Sequence, residues 1–428
     1  MKELALANIK QKKIIVLTTC IGSLLEMYDF VIYGFFATII AKQFFPPNNM
    51  FISLLATFGI FAIGYFARPL GGLIFGHLSD RLGRKSSLVY SVASMGIPIF
   101  IIGLLPTYQT IGDAAPILLL ICRIIQGLSV GGEFPGAITF LTEHAPQQSR
   151  GYTASWVFFG INLGVVVASF LGAIITALLP NSQLEIWGWR IPFILGGIIA
   201  LLGYYIRKNI AESPLYVQMK KKHLIMKNPV AETFKTSKLN LIKGFGLISV
   251  MAAAIGTIFL FMPTYLTYYL KINFTTALWI NAFNVLIFTL LIPFMAILSD
   301  KVGRKPVLVI GTLLFIFNSY PLFLLLPSNN HYLVMWALAC LGALASFIVG
   351  PIASTLAELF ATNIRTTGIA IAYNLSFGLF GGLAPLLITA LIKRTHNMQS
   401  PAIYLSLTAF ISLLFMLSLQ ETKGKSLD

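Results

Sequence analysis

"GHLSDRLGRK" at residues 76–85 returns at residues 296–305 as "AILSDKVGRK", with six of ten positions identical and an offset of 220 residues. Each copy sets a carboxylate, Asp80 or Asp300, ahead of Gly83 or Gly303 and follows the glycine with paired cations, Arg84 with Lys85 and Arg304 with Lys305. Glycine permits a tight turn. The carboxylate can then cap or pair with a neighbouring helix end, and the cations can hold a partner in one conformation only, which makes Asp80, Arg81, Gly83, Arg84, Asp300, Gly303 and Arg304 a candidate latch. What lies between the copies decides the fold. The chain has 428 residues, 57% of them hydrophobic and 10% charged, with a mean hydropathy of +0.84, well outside the balance of a water-soluble domain. A spanning helix needs about 20 apolar residues. Runs of that kind lie near 14–41, 51–75, 87–105, 115–140, 152–179, 189–206, 241–269, 274–298, 306–326, 332–357, 366–392 and 400–420. Six of these runs separate the two loops, and an even number returns the chain to the same membrane face, the mark of a parallel repeat. The sequence therefore predicts an all-α integral membrane protein, its twelve transmembrane helices forming two six-helix pseudo-symmetric bundles at 1–207 and 241–428, joined by a cytoplasmic linker at 208–240. A weaker echo follows, in which Glu143 and Arg150 match the spacing of Glu358 and Arg365, adding Arg365 to the latch set.

Long runs that are apolar on all sides exclude a transmembrane barrel, whose strands alternate. The cationic start "MKELALANIKQKK" resembles a signal peptide in charge, but the following run is too long and has no small-residue cleavage pattern, so the first span is expected to stay. Net charge is +16. With the amino terminus inside, 23 of the 30 Lys and Arg fall on the inner side and 5 outside, which predicts both termini in the cytoplasm. The basic stretch "KKKHLIMK" at 220–227 reads as an inner loop touching anionic lipid rather than a nucleic-acid site. Cys20, Cys122 and Cys340 sit in separate spans without metal-type spacing, as small core residues.

Setting aside span ends, the deep ionisable groups are Glu26, Asp29, Arg123 and Glu133. An ion at bilayer depth costs at least a few kcal/mol, so each must be paired, protonated or next to water. Glu26 and Asp29, three apart, share a helix face and would repel if both were charged. Because the first span runs outward and the fourth inward, Asp29 and Arg123 come to similar depth, with Glu133 nearer the cytoplasm. Arg123, Gln126 and Glu133 form a polar stripe, and Gly127, Gly131 and Gly132 allow close helix contact. Asp29, Glu26 and Glu133 are thus the proton-coupling candidates, Asp29 first, with Arg123 as partner of a substrate carboxylate. The alternative is a structural Asp29–Arg123 pair joining two spans. Tyr28, Tyr33, Trp156, Asn162, Tyr265, Tyr373 and Asn374 are further candidates for substrate contact, set against membrane-interface and packing roles for the rings.

The duplicated loop resembles the signature of the major facilitator superfamily, with Ala296 in place of a glycine in the second copy. A narrower resemblance spans most of the chain. "GSLLEMYDFVIYGFF" (22–36), "RPLGGLIFGHLSDRLGRK" (68–85), "RIIQGLSVGGEFPGA" (123–137), "AESPLY" (211–216) and "YNLSFGLFGGLAPLL" (373–387) are similar to motifs of the metabolite:proton symporter family, which includes proline/glycine-betaine, α-ketoglutarate, citrate and shikimate transporters. Ser23 and Met27 depart from its first-helix pattern. The resemblance implies a bacterial inner-membrane symporter that works by alternating access, driven by the proton gradient with no cofactor or metal, and acting as a monomer. It implies uptake of a small polar metabolite, a zwitterion such as proline or glycine betaine first, with a di- or tricarboxylate or shikimate-like acid as the alternative. Arg123 as the one deep cation argues against a highly charged anion. A drug exporter would need a fifth-span signature that "WVFFGINLGVVVASFLGA" does not match. A receptor would need a signalling domain, and an enzyme would need a nucleophile or metal set; the five His residues, 77, 144, 223, 331 and 396, all lie in loops or at span ends.

Overall fold

The computed structural model describes residues 2–46 and 50–427, and among these it contains helices and no strand. Among the described residues, twelve helices are long and apolar enough to cross a bilayer. They are α1 Ile14–Phe35, α2 Phe51–Leu82, α3 Arg84–Leu104, α4 Ala114–His144, α5 Gln147–Leu178, α6 Arg190–Lys208, α7 Lys238–Tyr269, α8 Thr275–Val302, α9 Arg304–Leu324, α10 His331–Leu359, α11 Thr362–Thr395 and α12 Ser400–Leu417. Phe51, Phe66, Leu178, Trp279 and Phe317 are among the many exposed apolar side chains, the surface that hydrocarbon covers in a membrane.

Two helix ends differ from the apolar runs. The run expected to reach residue 41 breaks at Phe36 and resumes as a short helix, Ala37–Phe44. Conversely, α2 continues past its apolar stretch through the polar "GHLSDRL" to Leu82, because backbone hydrogen bonds rather than side-chain polarity sustain a helix. It stops where Gly83 takes φ +119°, and α8 stops where Gly303 takes φ +128°. Only glycine enters that region without strain, which explains its fixed place in both copies of the loop. Wide turns interrupt α7 at Ile255–Phe261 and Tyr265–Tyr269, and α11 at Phe377–Gly382. Side-chain amides of α8 serve the first of these: Asn281 Nδ2 donates to the Phe259 carbonyl at 3.2 Å and Asn284 Nδ2 to that of Ile258 at 3.4 Å.

The chain forms two compact units. One comprises Met1–His144 with Gly160–Val230, the other Ala145–Phe159 with Ala231–Asp428. Against the expected boundaries at 207 and 241, the linker carries two short helices, Pro214–Lys221 and Pro229–Thr236, and is shared out near residue 230. Residues 145–159 cluster with the second unit because Asp300 accepts the backbone N–H groups of Gly151 and Tyr152 at 2.9 and 2.8 Å.

In the first unit α2 and α4 lie backbone to backbone. A Cβ at Gly127 would overlap the carbonyl of Gly64, so this crossing tolerates no side chain there. Replacing Gly127 by Leu is expected to cost about 1–3 kcal/mol by overpacking, seen as a lower unfolding temperature of the detergent-purified protein. Gly34, with nothing within 4 Å of its Cβ position, is the control site for the same substitution.

Candidate functional site

Polar groups inside a membrane bundle must find partners among themselves, and in the first unit Asp29, Glu26 and Glu133 each face an arginine. Asp29 of α1 accepts from Arg123 Nη1 at 2.6 Å and from Gln126 Nε2 at 3.2 Å, both on α4. All three side chains are buried. Tyr33, one helical turn beyond Asp29, places its ring 3.9 Å from the Arg123 guanidinium and donates its hydroxyl to the Thr57 carbonyl at 3.0 Å. Charge assistance and ring contact offset part of the desolvation cost of the pair. Nε and Nη2 of Arg123 have no acceptor in the protein.

Glu26, one turn below Asp29, is equally buried but held differently. Its neighbour is Arg68 Nη1 of α2 at 3.9 Å, beyond hydrogen-bond reach, and neither carboxylate oxygen receives a hydrogen bond. The Arg68 guanidinium lies 3.9 Å from the Tyr65 ring and 4.4 Å from that of Phe30, with its Nε and Nη2 lacking acceptors. Arg68 corrects the expectation of a single deep cation. Since α2 extends to Leu82, this arginine stands near mid-helix, away from the end of the span.

Glu133 of α4 is the most heavily bonded of the three acids. It accepts from Arg207 Nη1 and Nη2 at 2.9 and 2.5 Å and from Ser91 Oγ at 2.5 Å. Arg207 also donates to the Leu88 carbonyl at 2.8 Å and the Thr18 carbonyl at 3.5 Å, so it ties α6 to α1, α3 and α4. Gly22 makes room for it, because a Cβ there would run into the guanidinium. Sequence reasoning counted Arg207 among the inner-loop cations and gave Glu133 no partner; the final turn of α6 in fact turns this arginine inward.

The aromatic and amide candidates are more dispersed. Tyr28 donates to the Pro192 carbonyl at 2.6 Å and Tyr265 to that of Met398 at 2.7 Å, which commits both buried phenols to helix packing. Trp156 packs edge-on to Phe159 at 4.9 Å, and Asn162 is half-buried on the same helix. Tyr373 lies 5.3 Å from Phe377, and the amide of Asn374 donates to the Ala370 carbonyl at 2.9 Å, one turn back.

The two loops build matching networks. In the first unit Arg84 donates from Nε and Nη2 to Glu143 at 3.2 and 3.3 Å, lies 3.2 Å from Asp80, and bonds the Ser79 carbonyl at 2.9 Å. Ser213 donates to Glu143, and Glu212 accepts the Lys85 N–H at 3.0 Å. Arg81 itself is exposed and contributes its carbonyl, to Tyr216 Oη at 2.7 Å. In the second unit Arg304 bonds Asp300 at 2.6 Å and Glu358 at 3.4 Å, Thr422 donates to Glu358 at 2.6 Å, and Glu421 accepts the Arg304 and Lys305 N–H groups at 2.9 and 3.1 Å. Burial alone would raise the Glu421 pKa, but backbone N–H groups of Lys423, Arg304, Lys305 and Thr422 hold it below the usual carboxylate value. Arg150 adds a 2.8 Å bond to Glu358, and Arg365 donates to the Ala357 carbonyl and Thr362 Oγ1 at 2.9 and 2.8 Å. Sequence reasoning missed Glu212 with Ser213 and Glu421 with Thr422. The signal was an acid followed by a hydroxyl residue in "AESPLY" and again in "QETKGK".

Residues 15–241 match the family model described as Sugar (and other) transporter, and residues 244–427 match that of the Major Facilitator Superfamily. The chain is 33% identical over 419 residues to the Proline/betaine transporter of Escherichia coli (strain K12), covering 95% of this chain and 83% of that protein. It is 34% identical over 416 residues to the Glycine betaine/proline/ectoine/pipecolic acid transporter OusA of Dickeya dadantii (strain 3937), with the same coverage of 95% and 83%. Among solved structures, the proton:xylose symporter XylE bound to 6-bromo-6-deoxy-D-glucose superposes with a TM-score of 0.80 at 23% identity, covering 98% of each chain. The partially occluded inward-open form of XylE from E. coli gives 0.67 at 23% identity, over 98% of this chain and 100% of that one. The chain therefore belongs to the major facilitator superfamily: it is a multi-pass membrane transporter, not an enzyme.

Proposed function

We propose that the protein takes up a small zwitterionic osmolyte, proline or glycine betaine, together with protons, by alternating access of its two units. The observation that carries this reading is the buried Asp29–Arg123 pair at 2.6 Å, an acid that can hold a proton beside a guanidinium that can hold a carboxylate. The names of the relatives supply the substrate class. In this reading the proton gradient is the energy source with no cofactor, and a single chain is the working unit. The setting is a bacterial inner membrane, both termini are cytoplasmic, and the Lys-rich linker faces anionic lipid. A di- or tricarboxylate remains the second reading, favoured by Arg68, whose buried guanidinium supplies a further cation with two unsatisfied N–H groups.

Proteoliposomes under an imposed pH gradient test both. Labelled proline or glycine betaine is expected to accumulate above its equilibrium level when the outside is acid, and a protonophore should abolish the excess. Accumulation of α-ketoglutarate or citrate without either zwitterion would replace the first reading by the second. Uptake indifferent to the gradient would remove proton coupling altogether.

A further inference from the structure

Of Glu26, Asp29 and Glu133, Glu26 is the one whose carboxylate receives no hydrogen bond, and its neighbour Arg68 is held only by charge and by two rings. Asp29 receives two donors and Glu133 receives three. Glu26 and Arg68 interact by charge across 3.9 Å and nothing more. The remaining charges around Glu26 are Asp29 on its own helix, Arg123 and Glu133 on α4, and Arg207 on α6, and all four are engaged with one another in pairs. The helix α5, which packs on α1 through Gly160 and Gly164, brings no charge there, and the α3 groups bonded to the neighbouring pair, the Leu88 carbonyl and the Ser91 hydroxyl, are neutral.

From this geometry we infer that Arg68 is the subsite for the substrate's carboxylate, and that Glu26 is the group the substrate displaces and which then takes up a proton. A guanidinium edge with Nε and Nη2 unsatisfied suits a carboxylate that can make two parallel bonds at about 2.7–2.9 Å, a geometry Glu26 does not reach. The Tyr65 and Phe30 rings, 5.6 Å apart and nearly perpendicular, cover the guanidinium and keep it poorly hydrated, so an incoming carboxylate displaces little water. Once its arginine is taken, Glu26 is left as a carboxylate fully enclosed by protein with no donor, a state relieved by protonation. Substrate and proton thus arrive together, and they leave together when the substrate is released and Glu26 gives up the proton to return to Arg68. Asp29 is a second proton site one helical turn away, so the cycle carries two protons per substrate. The inference rests on the proposed function in requiring a carboxylate on the substrate and a proton on Asp29, and it seats that carboxylate on Arg68, leaving Arg123 to hold Asp29.

Calorimetry on the purified protein with glycine betaine, run in buffers of different ionisation heat, reads affinity and proton uptake together. Arg68→Gln is expected to weaken glycine betaine binding roughly 10- to 150-fold, the range for losing hydrogen bonds to a charged group. Arg68→Lys, which keeps the charge but not the fork, should fall between it and the native protein and serves if the glutamine variant does not fold. Glu26→Gln removes the competitor, so it should bind glycine betaine more tightly than the native protein at about pH 8 and take up one proton fewer. Choline, which has the cation without the carboxylate, should be indifferent to all three changes. Binding within about twofold of native in both Arg68 variants, or undiminished proton uptake in Glu26→Gln, would overturn the inference while leaving the proposed function standing. Failure of the native protein to bind glycine betaine, proline or α-ketoglutarate would instead bring down the proposed function.

Discussion

Asp29→Asn is expected to lower the accumulation of substrate in proteoliposomes by about tenfold for each unit of imposed pH gradient, and Asp29→Asn combined with Glu26→Gln to abolish accumulation entirely. One proton moved down one pH unit is worth 1.36 kcal/mol, which is about a factor of ten in concentration ratio. Two protons per substrate, one on each acid of α1, would sustain about a hundredfold ratio at zero membrane potential, so losing one carrier removes one factor of ten. An amide at position 29 still offers its oxygen to Arg123 Nη1, the donor that Asp29 now accepts at 2.6 Å, and its NH2 can donate to Gln126 Oε1, which has no partner at present, once the Gln126 amide turns over, so the helix contact can persist without the proton site. Counterflow, the exchange of labelled for unlabelled substrate with no gradient, should accordingly survive. That combination separates a coupling role from a structural one. A merely structural pair would move exchange and accumulation together, both kept where the amide preserves the contact and both lost where it does not. Full accumulation in the single variant would mean that Asp29 carries no proton.

Depth was the part of this site most legible in the sequence, and direction the least. Twelve apolar runs and a loop repeated after 220 residues define the fold by themselves, because backbone groups in hydrocarbon have to be satisfied within helices and an even number of crossings returns a loop to its own face. Counting residues along antiparallel spans brings Asp29 to the level of Arg123, and the two are bonded in the structure. The same arithmetic failed for Arg68 and Arg207. Both lie where apolarity fades but the helix continues, so a hydropathy boundary places them at the edge while the backbone carries them inside. Glu212 with Ser213 and Glu421 with Thr422 were hidden for a different reason. Their offset is 209 residues rather than 220, because the segments leading to them differ in length, so a repeat search keyed to the loops passes over them. Only the fold shows that each pair caps the helix after its own loop and holds the acid of the helix beyond.

Arg207→Gln is expected to be the most damaging single substitution in the first unit, lowering stability by about 3–5 kcal/mol, because it strips a buried carboxylate of its partner. Glu133 would keep only the Ser91 hydroxyl, and the Leu88 carbonyl would lose a donor at 2.8 Å. Thermal unfolding in detergent reads the loss. The decisive comparison is the double variant Arg207→Met with Glu133→Leu, which removes both charges and fills the space with apolar atoms of similar size. Ser91 can then turn to the Leu88 carbonyl, which already lies 3.1 Å from its hydroxyl, and the Thr18 carbonyl loses only a long bond of 3.5 Å. If the pair holds four helices together and does nothing else, the double variant should recover most of the lost stability and transport with the native proton dependence. If Glu133 also takes part in proton coupling, the double variant should fold as well but accumulate less substrate under the same gradient. Stability that stays low in the double variant would show that Arg207 acts through its bonds to the Thr18 and Leu88 carbonyls rather than through its charge.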